Sequence, residues 1–549
     1  MNNRNYNIYF HTHTISGIII ASLLYVIFFA GSFSFFKDEI SAWQSGKSVN
    51  EKLSHGLPYQ LLLDSLDSKY NLAGRDINFY LYPNTSHCYI NIAPSKDTLH
   101  NPKAKERAYI GYDFAERKEK SYEESYDMGE FLYRLHFLAQ LNQAIPLRIG
   151  YPIGYLIAGL VAFLFLFALI TGLLLHWDKL VSNFYLFRPW SKWKTLWTDL
   201  HTVLGVIGFP FQFVFALTGI ILIINTVFLA PFSQLLYKGD MEKVFQDLEY
   251  ATAAEATFID KPLTSTPNIQ EYMDQTQKRW PGAFFNRVAI KNYGDESMLL
   301  SIESEADRKQ SFAGTGQITY ELKTGKVLTH RSPYDTPTYI ASVKSFIYRL
   351  HFGDYGGYFV KLVNFILGIA GCVVIISGIL IWLVARDKSS VASYKRKFNF
   401  WLSNVFLAIC LTMFPVTAFS FILIKFIGNV NQTLIYQIYF CSWLVISLYY
   451  ILRRNLRRTN TETLLLGGIL ALLVPVVNGV FSGNWLWNTW ARHATDILLI
   501  DLLWISLGLV ALIAFARIKK YQALKAPVER INQVPVPDDQ QAYTGDLTY

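Results

Sequence analysis

The sequence predicts a mainly α-helical, polytopic membrane protein. It has a duplicated four-helix transmembrane core, two external α+β modules and four additional C-terminal transmembrane helices. Three observations predict this fold. Hydrophobic residues make up 52% of the 549 residues and charged residues only 17%, against about 25% charged in soluble domains. The uncharged residues collect in eight long runs, and the first 388 residues contain two copies of one pattern. The composition excludes a disordered chain and an ordinary soluble enzyme, and four cysteines exclude a disulfide scaffold.

Seven uncharged runs and one run with a single charge predict eight spans. A bilayer core about 30 Å thick needs roughly 20 apolar residues in a helix. The first run has 23 residues, which favours an uncleaved anchor over a signal peptide. The eighth run contains one charge, Asp501, for which we expect partial exposure near the outer end of its span. The runs are residues 14–36, 149–177, 202–237, 362–385, 398–424, 426–452, 463–491 and 497–516.

Basic residues in the short loops predict the orientation. They follow the second, fourth, sixth and eighth spans, which places that face and both termini in the cytoplasm. The net charge of +9 therefore reflects topology, and we expect no nucleic-acid partner. The basic residues are Lys179, Arg188, Lys192, Lys194, Arg386, Lys388, Lys395, Arg396, Lys397, Arg453, Arg454, Arg457, Arg458, Arg517, Lys519 and Lys520.

The polar segments between spans divide the chain into domains. Two of them alternate apolar and polar residues over short stretches and contain turn signals such as Thr324-Gly325, which indicates small α+β modules outside the membrane. The tail is rich in Pro, Asp and Gln, which is typical of disorder. The predicted divisions are helix 1 (1–36), module 1 (37–130), a segment with helix 2 (131–180), helix 3 (190–230), module 2 (231–345), a segment with helix 4 (346–388), four further helices (398–518) and the tail (525–549).

Histidines recur in the two copies of the repeat. His13-Thr-Ile-Ser-Gly17 returns 188 residues later as His201-Thr-Val-Leu-Gly205. FLYRLHF at 131–137 returns as FIYRLHF at 346–352, so that His136 is matched by His351. The topology places His13 and His201 at the cytoplasmic face, and the other two at the external face. A lone histidine at a membrane edge is usually a polar anchor, but that role does not explain why the repeat keeps all four.

Two imidazoles from different helices near one face suit the iron of a b-type haem. We therefore predict two haems, one held by His13 and His201 and the other by His136 and His351. Histidines at opposite faces lie too far apart along a helix of 1.5 Å per residue to share an iron. No C-x-x-C-H is present, which excludes covalent haem attachment.

Further residues are candidates for the haem sites. Gly17 and Gly205 lie four residues after their histidines, on the same helix face, where a ring edge can pass; close helix packing is the alternative role for these glycines. Arg134 and Arg349 precede histidines by two residues and are candidates for the haem propionates, or for cations that reach the interface. His176 has Trp382 as its repeat counterpart; it is either a rival ligand at the cytoplasmic face or a polar anchor.

These motifs resemble the PepSY-associated transmembrane family of bacterial inner-membrane proteins, over roughly residues 8–388. The resemblance implies four core helices with periplasmic PepSY-like modules. Some family members are ferric-siderophore reductases that carry haem between the core helices. Thr324-Gly325-Lys326-Val327 is similar to a turn of the PepSY module. The resemblance rests on the repeated His-containing segments above and on the Thr/Ser-Gly turns at Gly172, Gly219 and Gly378. In the repeat, Gly31 corresponds to Gly219 and Thr171-Gly172 corresponds to Ser377-Gly378.

The leading functional hypothesis is transmembrane electron transfer that reduces a ferric chelate, such as a ferric siderophore, in the periplasm. The chain lacks a P-loop and a dinucleotide-binding fingerprint, so we expect a separate cytoplasmic reductase or a membrane quinol to supply electrons. A non-enzymatic PepSY membrane module that binds or regulates a partner protein is the alternative. A transporter built on parallel repeats is a third hypothesis, but the middle of the spans lacks the charges that ion coupling uses.

Overall fold

The computed structural model describes residues 2–48, 58–82, 87–97, 106–113, 117–145, 152–185, 188, 193–248, 256–265, 267–308 and 310–531. The predicted mainly helical, multi-pass fold is confirmed, with eight described helices long and apolar enough to cross a membrane. In chain order the elements are α1 (Asn3–Ser34), α2 (Lys37–Ser45), α3 (Tyr59–Tyr70), β1 (Ile77–Leu81), β2 (His87–Ile92), β3 (Ala108–Asp113), β4 (Lys118–Lys120), α4 (Met128–His136), α5 (Gln140–Ala144), α6 (Ile153–His176), α7 (Leu180–Phe184), α8 (Trp193–Tyr237), α9 (Met241–Asp247), α10 (Ile269–Arg279), β5 (Phe284–Lys291), β6 (Leu299–Glu305), β7 (Thr315–Glu321), β8 (Lys326–Arg331), α11 (Tyr339–Phe352), α12 (Gly357–Arg386), α13 (Ser393–Ile427), α14 (Gln432–Arg453), α15 (Leu456–Ser482), α16 (Leu486–Ala491) and α17 (Thr495–Ile531).

The two copies of the repeat form a ring of four helices. Helix α1 packs against α6 and α12, and α8 also packs against α6 and α12. Aromatic side chains fill the interior, as in the edge-to-face contact of Phe28 with Phe165, at 5.2 Å between ring centroids. Gly368 of α12 lies against Ser32 of α1, because a Cβ there would fall 2.2 Å from the serine hydroxyl oxygen. Such small residues allow spanning helices to approach closely.

The two external modules share a single antiparallel sheet of eight strands, in the order β4-β3-β2-β1-β5-β6-β7-β8. The sequence predicts two separate modules, and the structure joins them through β1 and β5, with Ile77 opposite Ile290 and Phe79 opposite Val288. Pairing these two strands removes an exposed edge from each module. Helices α3 and α10 cover one face of the sheet, where Leu63 and other apolar side chains are buried.

The four additional helices form a C-terminal bundle beside the ring. Helix α13 packs against α14 and α15, and α15 packs against α17. Asp501 of α17 has no exposed surface, so the expected partial exposure is wrong. Its two carboxylate oxygens accept hydrogen bonds from Trp43 and Asn478, which compensate for the loss of water. Helix α17 continues to Ile531, into the segment predicted to be disordered, and residues 532–549 lie outside the described part of the chain.

Candidate functional site

The repeated YRLH segments bring His136 and His351 together at the end of the ring that faces the sheet. His136 is the last residue of α4, whose first turn is capped by the Asp127 carboxylate accepting from the Glu130 amide at 2.8 Å. His351 is the penultimate residue of α11. The centroids of the two imidazole rings are 6.0 Å apart. We call these two residues the sheet-side pair.

His13 and His201 form a second pair, which we call the far-side pair. His13 lies in α1 and His201 in α8, and their ring centroids are also 6.0 Å apart. Fourteen residues of α1 separate His13 from Ile27, whose carbonyl is bonded to His136. At 1.5 Å per residue this separation is about 21 Å along the helix. The two pairs therefore lie at different depths of the same helical ring.

Each histidine has its Nδ1 atom fixed by a neighbouring helix. Nδ1 of His13 lies 2.9 Å from the Ala168 carbonyl oxygen, and Nδ1 of His201 lies 2.9 Å from that of Val374. Nδ1 of His136 lies 2.8 Å from the Ile27 carbonyl oxygen. Because a carbonyl oxygen only accepts, Nδ1 must carry the proton in these three rings. Their Nε2 atoms then hold the free lone pair that a metal requires.

His351 reaches the same tautomer through a hydroxyl group. Its Nδ1 lies 2.9 Å from Oγ1 of Thr218. The Thr218 hydroxyl donates its own proton to the Val214 carbonyl one turn earlier in α8, at 2.5 Å. The threonine oxygen is therefore an acceptor for Nδ1–H, and Nε2 of His351 is also left free. Thr218 is not among the predicted site residues, because its repeat counterpart is Ala30 and the hydroxyl is not duplicated; its place in the Thr-Gly turn at Gly219 is the only signal in the sequence.

Four repeated glycines allow the imidazole rings to lie against the helices. A Cβ at Gly31 would fall 2.4 Å from Nδ1 of His136, and one at Gly219 would fall 3.4 Å from Cε1 of His351. At the far side, a Cβ at Gly172 or Gly378 would fall 3.0 Å from Cε1 of the adjacent histidine. The repeat marks these four glycines in the sequence, but the predicted haem sites do not include them. Their matched spacing in the two copies was the available signal.

Gly17 and Gly205 have a different environment from these four. No heavy atom lies within 4 Å of a Cβ built on either residue, apart from those of its own helix backbone. The volume beside both glycines is therefore open, one turn along from His13 and His201. That environment fits the predicted passage of a ring edge better than close helix packing.

The sheet-side pair lines a cavity of about 330 Å³ between the four ring helices, α4 and α11. This volume falls within the range typical of small-molecule and cofactor sites. The lining is mostly apolar and rich in aromatic rings, including Phe35, Phe137 and Phe215. A flat apolar ligand with its reactive centre between His136 and His351 matches these walls.

The two predicted arginines differ in their partners. Arg134 donates through Nε to Glu130 at 2.5 Å, and Glu130 also pairs with Lys37. Burial opposes the charge of Arg134, but the Glu130 carboxylate more than offsets it and raises the guanidinium pKa. Arg349 is only 6% exposed. Its Nη1 atom is buried without a hydrogen-bond partner among the described residues, so it is free to donate to a carboxylate.

The remaining histidines do not form a competing cluster in the part of the chain that the structure describes. His176 ends α6 and lies close enough to His13 and His201 to influence both electrostatically. His55 and His100 fall outside the described residues. Those described residues contain no group of three or more His, Cys, Asp or Glu side chains that would hold a metal ion.

The donor set fits the iron of a haem. Two axial imidazoles with Fe–N bonds of about 2 Å have ring centroids roughly 6 Å apart, which is the separation in both pairs. A structural zinc site needs four protein ligands, whereas a haem iron takes only its two axial ligands from the protein. The apolar cavity fits a macrocycle. Arg349 is not among the residues that line this cavity, and its buried Nη1 lacks a hydrogen-bond partner among the described residues.

Burial favours the neutral, ligating form of the sheet-side histidines, which belong to α4 and α11 rather than to spanning helices. It lowers the pKa of His351 to about 3, with a further contribution from His136. Burial also lowers the pKa of His136, although the hydrogen bond to the Ile27 carbonyl acts in the opposite direction. Both rings are therefore neutral near pH 7, as an axial ligand must be.

Comparison with known proteins agrees with this architecture. The chain is 26% identical over 234 residues to an uncharacterized protein of Pseudomonas aeruginosa; the match covers 40% of this chain and 56% of that relative. This chain thus matches little more than half the length of the curated relative. The family model of the PepSY-associated transmembrane region matches residues 10–385, which include the ring, the sheet and all four paired histidines. The chain belongs to the PepSY-associated transmembrane family.

Proposed function

We propose that this protein is a bacterial inner-membrane electron-transfer protein that holds two b-type haems and reduces a ferric chelate, such as a ferric siderophore, in the periplasm. The observation that carries the proposal is the duplicated arrangement of the histidines. Two pairs at different depths have the same 6.0 Å spacing, and all four Nδ1 atoms are fixed so that Nε2 is free.

Haem b, when bound, supplies a reversible one-electron Fe³⁺/Fe²⁺ couple. His136 and His351 would hold the sheet-side haem, and His13 and His201 would hold the other. The helix carbonyls and the Thr218 hydroxyl orient the four rings and increase their basicity through Nδ1. Arg349 would bind a propionate through its unpartnered Nη1, and the aromatic walls would exclude water from the sheet-side macrocycle.

The substrate gains one electron for each ferric ion reduced, without forming or breaking a covalent bond. Oxygen ligands hold Fe³⁺ more tightly than the softer, less charged Fe²⁺, so reduction favours release from the chelate. A separate cytoplasmic reductase or a membrane quinol would donate the electron; a quinol gives two electrons and two protons. The basic loops support a topology with the far-side pair near the cytoplasm and the sheet in the periplasm.

A haem determination on the purified protein tests the proposal. We expect a pyridine haemochrome of two b-type haems per chain after expression with sufficient haem. A reduced sample should be reoxidised by a ferric chelate. A protein without haem would reject electron transfer and favour the non-enzymatic membrane module. Zinc in a metal assay would redirect the assignment of the histidines, since imidazole also binds zinc.

Single His→Ala variants test the pairing. His136→Ala and His351→Ala should each remove the same haem and leave the other spectrally intact. His13→Ala and His201→Ala should remove the second haem. His176→Ala serves as the matched control, because it changes a histidine at the far side that the pairing does not use. If His176→Ala removes a haem that His13→Ala spares, the symmetric pairing is wrong there.

A further inference from the structure

We propose that the C-terminal bundle (α13–α17) is a positioning scaffold for α4, which it holds through α2 and so fixes His136. This inference rests on the proposed function only in naming His136 a haem ligand. The family match ends at residue 385, so the bundle lies beyond the part of the chain that the family model describes. Its contacts with the ring give the bundle a role of its own.

The first link joins the bundle to α2 at Trp43, which is only 1% exposed. Its indole Nε1 donates to Asp501 of α17 at 2.7 Å. Its carbonyl oxygen accepts from the ammonium group of Lys425 of α13, which also lies 4.7 Å from the centre of the indole ring. The same ammonium group donates to the Gln44 carbonyl at 3.3 Å. Two bundle helices therefore hold one turn of α2.

The second link joins α2 to the beginning of α4. The Gln44 side-chain oxygen accepts from the backbone N–H of Met128, the first residue of α4, at 2.8 Å. Lys37 pairs with Glu130 in the first turn. Gly129 allows the close approach, because a Cβ there would fall 2.3 Å from the Lys37 carbonyl oxygen. Helix α4 has only nine residues, so a shift at its start reaches His136 at its end.

The bundle also contacts α4 and the preceding loop directly. Phe131 of α4 is fully buried, with its ring centroid 4.7 Å from that of Tyr439 and 5.7 Å from that of Phe440, both in α14. Before α4, the backbone carbonyl of Glu123 accepts a hydrogen bond from the backbone N–H of Gln432 in α14 at 3.0 Å. These contacts pack against the helix that carries His136 through Phe131, which does not line the cavity.

The second copy of the repeat is held in a different way. Helix α11, which carries His351, packs against α8. Arg349 lies 5.6 Å from the centre of the Phe312 ring in the second module, and Lys344 donates to the Leu248 carbonyl at 2.6 Å. The link through Trp43 therefore acts on one ligand of the sheet-side pair. Helix α13 also packs directly against α1 and α12, but those contacts do not pass through Trp43, so the far-side pair should not respond when the Trp43 hydrogen bond is removed.

Hydrogen exchange and spectroscopy of the full-length chain test this scaffold. Trp43→Phe and Asp501→Leu remove the hydrogen bond from opposite ends, and Asp501→Asn retains a hydrogen-bond acceptor. Thr412→Val is the control, since Thr412 and Ser447 form a buried pair within the bundle at 2.9 Å. We expect amide exchange in 128–136 to rise about tenfold in Trp43→Phe and Asp501→Leu, and to stay near wild type in Asp501→Asn and Thr412→Val.

The haem signals give the second measurement. The electron paramagnetic resonance spectrum and midpoint potential of the sheet-side haem should shift in Trp43→Phe and Asp501→Leu, with the far-side haem unchanged. Unchanged exchange in 128–136 in both variants, or equal shifts of the two haems, would overturn the scaffold. A wild-type protein without haem would instead reject the proposed function, and the exchange measurement would still decide whether the bundle holds α4.

Discussion

Thr218 is the single residue that distinguishes the hydrogen bonding of His351 from that of the other three histidines. Its hydroxyl replaces a backbone carbonyl as the acceptor of Nδ1–H. A backbone acceptor survives any substitution, whereas this one depends on a side chain. The sheet-side pair is therefore the one whose ligand orientation a conservative substitution can change.

Thr218→Val should weaken haem binding at the sheet-side pair by about 10- to 100-fold, the usual effect of removing a partner of a metal-ligating histidine. The shape of the side chain is preserved, so the helix should remain intact. Haem transfer to an apo-protein acceptor measures the change. Thr171→Val is the control, because His13 bonds the Ala168 carbonyl directly. Equal losses of haem affinity in the two variants would show that the Thr218 hydroxyl has no specific role in supporting His351.

Glu130, at the start of α4, makes a pH-dependent contribution to the stability of the fold. Burial alone would raise its pKa, but Lys37 and Arg134 outweigh burial and lower it below the usual 4.5. A carboxyl group with a depressed folded-state pKa stabilises the fold above its unfolded pKa, and this stabilisation is lost as the pH falls through the folded pKa. The interaction should thus be complete at neutral pH and vanish in acid.

Glu130→Gln should lower the free energy of unfolding at pH 7 by about 2 kcal/mol, between the values for exposed and buried ion pairs. The difference from wild type should shrink as the pH falls below 4.5. Unfolding temperatures in detergent between pH 3 and pH 8 measure it. Glu119→Gln is the control, because its partner Lys69 is half-exposed. If the stability difference between Glu130→Gln and wild type stays constant with pH, ionised Glu130 does not stabilise the fold.

At the scale of helices, the glycines set how closely each histidine approaches its neighbour. The two copies of the repeat offer a matched comparison. Gly31 has no space for a methyl group, because a Cβ there would fall 2.4 Å from Nδ1 of His136. Gly219 has nearly enough space, because a Cβ there would fall 3.4 Å from Cε1 of His351. Ordinary carbon contacts are about 3.5–4.0 Å.

Gly31→Ala should therefore displace the His136 ring, break its bond to the Ile27 carbonyl and remove the sheet-side haem. Gly219→Ala should retain that haem. The absorbance of the two haems and the unfolding temperature report both effects, and overpacking of this kind costs about 1–3 kcal/mol. Equal haem contents in the two variants would mean that the helices separate to accommodate either methyl group.

The sequence predicts helices and histidine pairs better than it predicts their supports. The spans follow from uncharged runs, and the pairs follow from a repeat that duplicates each histidine on an equivalent helix. Thr218 and His351 are 133 residues apart and Trp43 and Asp501 are 458 residues apart, and neither contact is duplicated. The place of Asp501 near the outer end of its span predicts partial exposure, and its buried position depends on Trp43, which belongs to an element distant in sequence.

At the scale of the whole molecule, the shared sheet constrains the membrane topology. Strand β1 follows the first span and β5 follows the third, and their pairing requires both external segments to lie on one side of the membrane. The second span must then carry the chain to the other side of the membrane, and the third span must bring it back. This constraint is independent of the basic residues in the loops, and both lead to the same alternation of spans.

The complete topology should therefore place both termini and the loops at 387–392 and 454–455 in the cytoplasm, with the sheet and the loop at 428–431 in the periplasm. Basic residues stay on the cytoplasmic side, and the paired strands carry the two modules to the other side together. Alkaline phosphatase fused within 121–126, 332–338 or 428–431 should be active, and fusions after Arg458 or Lys520 should be inactive. Green fluorescent protein fused at the same positions is the control. It should fluoresce only in the cytoplasmic fusions, after Arg458 and Lys520. Activity on opposite sides for the two modules would contradict the continuous sheet, and a uniform inversion would move the far-side histidine pair to the periplasm.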